Sequence, residues 1–170
     1  AQNKEKSEQW LASIEKKSGV QKTESGLLYK VEKEGDMSMR ATDDRDVVKV
    51  HYKGTKSNGK VFDASRFADM PKMRQEIMKK QMPEAYDKDE PIEFPLNRVI
   101  KGWTEGMKLV GKGGKITLWI PSDLAYGPRG NRGIGGNEAL RFDVELIDVT
   151  PYEEPAPAET APAEEQPAEE

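Results

Sequence analysis

Four runs of this chain alternate apolar and polar residues with a period of two: "GLLYKVEKEGD", "DVVKVHYKG", "GGKITLWIP" and "ALRFDVELIDV". Successive side chains of a strand point to opposite faces, so each run turns one row inward. In the second run Val48, Val50 and Tyr52 point one way, and Lys49, His51 and Lys53 the other. In the third and fourth the inward rows are Ile116, Leu118 and Ile120, then Leu140, Phe142, Val144 and Leu146. "KSNGKVFD" sets Asn58-Gly59 between two strand-like stretches, a strong hairpin signal that puts Tyr52 and Phe62 on its two arms. Between that hairpin and the third run, Val99, Trp103, Met107 and Val110 of "NRVIKGWTEGMKLV" follow helical spacing. These periods predict an α+β domain: an antiparallel sheet curved around one short helix.

The two ends and one interior segment depart from this plan. "KEKSEQWLASIEKKSGV" reads as a short helix with Trp10, Leu11 and Ile14 on one face. That face could pair with a second copy or fold back on the domain, and the spacing leaves both open. Residues 66–90 are a Met-rich, charged insertion with helical pattern across 71–81. Residues 153–170, "EEPAPAETAPAEEQPAEE", hold seven Glu and no base or aromatic; proline and like charge predict an unpacked tail. The expected organisation is therefore an N-terminal arm over 1–24, a domain over 25–150 and an acidic tail over 151–170.

Composition removes several function classes. Setting aside the tail's seven Glu turns a net charge of −4 into +3 for the body, and no basic stripe for nucleic acid stands out. No stretch approaches a membrane span. The absence of cysteine removes disulfides, zinc–thiolate sites and thiol chemistry. A start at "AQNKEK", without Met, suggests a processed N-terminus.

The glycine-rich "SDLAYGPRGNRGIGG", residues 122–136, could cradle a phosphate only if a helix followed it. The alternating "NEALRFDVELIDV" follows instead, and "GKGGK" at 111–115 fails in the same way. The loop therefore reads as a mobile hairpin tip. Asp43, Asp44 and Asp46 in "DDRD" read as a turn before a strand. His51, the single histidine, lies on the polar face among lysines and is expected to be solvated. Ser65 and Ser122 then have no partner base, and acid–base or covalent chemistry has no visible home. What remains is an aromatic set: Tyr52, Phe62, Trp103, Tyr126 and Phe142. Its plainest reading is the core of a small domain. Asp63 directly after Phe62 argues for more, because a carboxylate beside apolar rings is costly unless it forms the polar wall of an open pocket.

At "VKVHYKGTKSNGKVFDAS", "PIEFPLNRVIKGW", "GKITLWIPSDLAYG" and "RFDVELIDV" the chain resembles the FKBP-type peptidyl-prolyl cis–trans isomerases, in the right order over about residues 25–150. "ASIEKKSGVQKTESGLLYKV" is similar to the approach to the catalytic domain in bacterial extracytoplasmic members of the macrophage infectivity potentiator kind. The resemblance implies a half-barrel sheet around one short helix and an aromatic proline pocket. Trp103 would be its floor; Tyr52, Phe62, Val99, Ile100 and Phe142 its walls; Ile134 would sit at the flap. The Ile100 N–H and the Tyr126 hydroxyl would donate to substrate carbonyls, with Asp63 as the polar wall, making Asp63, Ile100 and Tyr126 the catalytic set. It further implies no cofactor and no metal, proline-containing peptides and unfolded chains as partners, and macrolides such as rapamycin as inhibitors. A periplasmic or outer-membrane-attached location, through a lipid anchor missing from this chain, and a homodimer belong to the same expectation. Two departures stand out: Gly135 and Gly136 where many members carry prolines, and the long insertion at 66–90, whose methionines could grip unfolded chains.

Overall fold

The computed structural model describes residues 2–131 and 134–152. The acidic tail lies outside the described residues. The chain runs α1 (Gln2–Glu15), β1 (Gln21–Lys22), β2 (Leu28–Lys33), β3 (Val47–Lys56), β4 (Val61–Ala64), α2 (Lys72–Gln81), β5 (Ile92–Pro95), α3 (Lys101–Gly106), β6 (Lys115–Ile120) and β7 (Leu140–Thr150). All pairings are antiparallel, in the order β1-β2-β6-β7-β3-β4, with β5 on the remaining stretch of β3. β3 and β7 are the longest strands, pair along their whole length, and form the spine of the sheet.

The inward row of β7 is Leu140, Phe142, Val144 and Leu146, as its alternation predicts. Beyond Leu146 the register shifts, so that Val50 faces Leu146 and Lys49 faces Asp148. The extra residue, Ile147, moves the buried position to Val149 and sharpens the twist of the sheet around the helix. The β3–β4 hairpin turns at Asn58-Gly59, with Gly59 at φ +86°, a conformation that costs glycine little.

The helical spacing from Val99 to Val110 is only partly realised. α3 is six residues long, and Val99 and Val110 flank it. Its closeness to the sheet explains both its brevity and its place. A Cβ on Gly102 would lie 2.5 Å from Ile120 Cγ2, and one on Gly106 2.7 Å from Leu118 Cδ1. Two glycines four residues apart thus let the helix backbone lie directly on β6, at a helix-propensity cost of about 1 kcal/mol each. The Thr104 hydroxyl donates to Leu96 O at 2.6 Å and ties the helix to the preceding turn.

The opposite face of the sheet is covered at one end. Ile14 of α1, Leu28 and Trp119 form a second small core, with Trp10, Leu11 and Val20 packed against it. The Trp10-Leu11-Ile14 face thus folds back on its own domain, and β6 is buried on both faces from Ile116 to Ile120. α2 matches the helix predicted inside the insertion to within a residue.

Candidate functional site

Trp103 is the centre of the inner face. Its Cα lies on the glycine-seated α3, which lowers the indole into the sheet and leaves it 4% exposed. Three rings meet it edge to face: Tyr52 at 5.3 Å and 88°, Phe94 at 5.4 Å and 75°, and Phe142 at 5.4 Å and 90°. Such contacts each contribute about 0.5–1.5 kcal/mol beyond area burial, so the box is stiff. Its geometry depends on Gly54, where a Cβ would come within 2.7 Å of Phe62 Cζ and 2.9 Å of Phe142 Cε1.

Above the box opens a cavity of about 350 Å3, lined by Tyr52, Asp63, Phe94, Val99, Ile100, Trp103, Tyr126 and Phe142, with Arg98 at its edge. Most of this wall is hydrocarbon, and its polar groups are few and specific. The Tyr52 hydroxyl donates to Asp63 Oδ2 at 2.6 Å. Burial, then the hydrogen bond to Asp63 and its charge, push the Tyr52 phenol above its ordinary range, so it stays a neutral donor. The other carboxylate oxygen, Oδ1, accepts the Ala64 N–H at 2.9 Å and Arg74 Nη1 at 2.7 Å. Arg74 belongs to α2, so the insertion reaches the pocket rim. Asp63 is therefore fully engaged. The Tyr126 hydroxyl and the Ile100 N–H, in contrast, donate no hydrogen bond to any described residue.

Seven of the nine residues expected at the site meet in this cavity: Tyr52, Asp63, Val99, Ile100, Trp103, Tyr126 and Phe142. Phe62 stands behind the wall, edge-on to Phe142 at 5.5 Å. Ile134 is buried within the main core cluster and does not line the cavity. Phe94 and Arg98 were missed by the sequence reading. The signal for Phe94 was present, since "IEFP" alternates just past the 66–90 insertion and β5 pairs Phe94 with Val48.

The comparisons with known proteins agree with this geometry. The model of the FKBP-type peptidyl-prolyl cis-trans isomerase family matches residues 39–147, which include every cavity-lining residue. The chain belongs to that family. The model of the domain amino terminal to FKBP-type isomerases matches residues 1–31, spanning α1, β1 and most of β2. FkpA of Aeromonas hydrophila is 44% identical over 156 residues, 91% of this chain and 48% of the relative. FkpA of Escherichia coli K12 is 42% identical over 89% of this chain and 48% of the relative. The chain thus spans about half the length of the curated relatives it matches. Among solved structures, Escherichia coli FkpA superposes with a TM-score of 0.71 at 41% identity, covering 88% of this chain and 60% of the other. A peptidyl-prolyl cis-trans isomerase from Pseudomonas syringae gives 0.69 at 29% identity, covering 88% and 94%.

Two sequence expectations for this family member need correction. His51 is not solvated: it is 8% exposed, and its Nδ1 lies 2.9 Å from Ser65 Oγ. The polar face of β3 is covered there by the chain leaving β4, a contact 14 residues away that periodicity cannot see. Burial, then the Arg66 charge, hold the imidazole below its ordinary pKa. Ser65 consequently does have a histidine partner. The pair is a brace all the same, because Ser65 Oγ is buried and accepts the Tyr52 N–H at 2.8 Å, with no open space from which a carbonyl carbon could approach.

Proposed function

We propose that this chain catalyses cis–trans isomerisation of X–Pro peptide bonds and so assists protein folding. The observation that carries the reading is the stiff, apolar ring box around Trp103, with two donors at its edge, Tyr126 Oη and Ile100 N–H, that bond to no described residue. A planar prolyl amide is held by resonance against rotation by about 18–20 kcal/mol. Twisting the bond breaks the resonance and makes the amide less polar. A water-poor apolar wall therefore favours the twisted state over the planar one. In this reading the pyrrolidine ring rests on Trp103, between Tyr52, Phe142, Val99 and Ile100, while Phe62 and Ile134 support the walls. The Ile100 N–H and the Tyr126 hydroxyl hold the carbonyls on either side, and Asp63 keeps the Tyr52 hydroxyl turned away from the apolar floor. Rotation makes and breaks no covalent bond, so it needs no nucleophile, metal or cofactor.

A second activity, gripping unfolded chains, is supported by one feature. α2 and the turn after it present Met73 (79% exposed), Ile77 (49%) and Met82 beside a helix whose Arg74 reaches Asp63. Adaptable apolar side chains so placed would hold the segment flanking a bound proline. The proposed organisation is an arm over 1–24, an isomerase domain over 25–150 and a tail over 151–170. Macrolides of the rapamycin kind would compete for the pocket, and a second copy would pair through residues other than Trp10, Leu11 and Ile14, which pack on this chain's own Leu28 and Trp119. An extracytoplasmic location, with or without attachment to the outer membrane, rests on the likeness to extracytoplasmic members. Among the described residues no helix is long and apolar enough to cross a membrane.

Deleting residues 67–89 separates the two activities. Suppression of aggregation of an unfolded client should weaken, while turnover of a tetrapeptide persists. Unchanged suppression would remove the gripping role, and lost tetrapeptide turnover would show that the insertion is part of the catalytic pocket.

A further inference from the structure

The glycine-rich loop after β6 returns to the sheet through residues 135–139, and that return limb is fastened from outside the isomerase domain. Ser7 of α1 is 7% exposed, and its hydroxyl makes two bonds across the limb. It donates to Asn137 O at 2.7 Å and accepts the Ala139 N–H at 2.9 Å. One turn earlier on the same helix, Asn3 Nδ2 donates to Gly136 O at 3.1 Å. The limb lies in turn against the outgoing segment. The Asn137 N–H donates to Gly127 O at 2.9 Å, and a Cβ on Gly136 would lie 2.1 Å from Pro128 O. Asn137 itself is held at φ +63°, the left-handed region that asparagine enters at some cost.

Gly127 directly follows Tyr126. A continuous set of contacts therefore runs from the Ser7 hydroxyl through the Asn137 peptide to Gly127 and so to the tyrosine at the cavity. A second fastener does not reach that tyrosine: the Glu138 carboxylate accepts the Gly135 N–H at 2.5 Å and pairs with Lys56 at 3.4 Å. Gly135 and Gly136 give the limb backbone freedom that would otherwise be spent on motion. The part of α1 that docks on Trp119 lies further along the helix, at Trp10, Leu11 and Ile14, so docking and fastening use separate residues.

We propose that Ser7 is a positioning residue for the isomerase site: through Asn137 and Gly127 it fixes the Tyr126 hydroxyl over the cavity. The N-terminal arm then acts on turnover as well as on packing, and its first two turns complete a site whose reacting surface lies wholly within the family domain. The inference rests on the proposed role of Tyr126 as a donor to substrate.

A double-mutant cycle in the full chain tests it, using isomerisation of a short X-Pro peptide with Ser7→Ala, Tyr126→Phe and the pair. Alanine keeps helix propensity, and a circular dichroism melt confirms that each variant is folded at the assay temperature. Ser7→Ala should lower kcat/KM about three- to fivefold with Tyr126 present, and by less than about 1.5-fold once Tyr126 is Phe. Amide exchange at Asn137 and Ala139 should accelerate about tenfold or more in Ser7→Ala, while amides of β3 stay unchanged. Equal losses in both backgrounds would mean that Ser7 acts by general stability, and would overturn the proposal. So would full activity of Ser7→Ala beside an impaired Tyr126→Phe. Full activity of Tyr126→Phe itself would remove the donor role, and the Ser7 inference with it, while leaving the ring box to be judged by substitutions of Trp103.

Discussion

Two cavities of similar size lie on opposite faces of the sheet and share the strands β3 and β7. The inner one, about 350 Å3, is walled by rings around Trp103. The outer one, about 420 Å3, is walled by the alternate residues of β3, β6 and β7: His51, Lys53, Lys115, Thr117, Arg141, Asp143 and Glu145, with Arg66 alongside. Size does not separate them; the state of their polar groups does. In the outer cleft charges meet one another. Arg66 pairs with Glu145 at 3.0 Å, Arg141 with Asp143 at 3.0 Å, and the Thr117 hydroxyl donates to Asp143 at 3.1 Å. These pairs engage Glu145 and Asp143, Lys53 and Lys115 stand in the same wall, and each exposed pair is worth only about 0–1 kcal/mol. In the inner cavity the few polar groups are either locked away, as Tyr52 and Asp63 are, or donate to no described residue, as with the Tyr126 hydroxyl and the Ile100 N–H. Apolar area beside two donors suits the proposed prolyl substrate, and a cleft walled by charges does not.

This contrast can be broken in four ways. Trp103→Leu removes the ring on which the other three converge, and kcat/KM for an X-Pro peptide should fall by about a hundredfold, or roughly 2.7 kcal/mol of differential binding. The fold should survive at the assay temperature, as checked by circular dichroism. Gly102→Ala sets a gain in helix propensity of about 1 kcal/mol against a Cβ 2.5 Å from Ile120 Cγ2. Overpacking of this kind costs about 1–3 kcal/mol, so the variant should be less stable in urea denaturation and slower in turnover, because α3 carries Trp103 off the sheet.

The third concerns the covered face. His51 has a folded pKa below its ordinary 6.5, so the unfolded chain binds more protons as pH falls through that range. The neutral form's stabilisation is complete above the unfolded value and is lost as pH drops toward the folded one. Urea midpoints should therefore fall from pH 7.5 to pH 5, and His51→Gln should flatten that part of the slope. Smallest is Arg66→Gln in the outer cleft. We expect a stability change below about 1 kcal/mol and turnover within about twofold of the parent. A loss comparable to that of Tyr126→Phe would erase the distinction between the two cavities.

Most of the inner face was legible because it is local. Val48, Val50 and Tyr52, then Leu140 to Leu146, announce themselves by alternation, and the Asn58-Gly59 turn fixes which strands are neighbours. Trp103 was assigned to a helix by its spacing, although that helix proved shorter, and its place as the floor came from the family resemblance. The covering of the outer face was not legible. His51 is buried by Ser65 and Arg66, and Trp119 by α1, and each contact joins segments whose own periods say nothing about the other. Phe94 lies in a four-residue strand whose pairing with β3 no local period marks. The Ser7 fastening spans 130 residues and uses one small hydroxyl, which no pattern in either segment marks.

In the proposed reaction the ring box lowers the barrier to prolyl rotation. The direct measurement is NMR exchange between the cis and trans forms of a short X-Pro peptide, with and without a catalytic amount of the full chain. We expect exchange far above the uncatalysed rate, lost on Trp103→Leu and retained on Arg66→Gln. Exchange no faster than in the peptide alone, with the protein folded and the peptide bound, would contradict it and leave a proline-binding module without turnover.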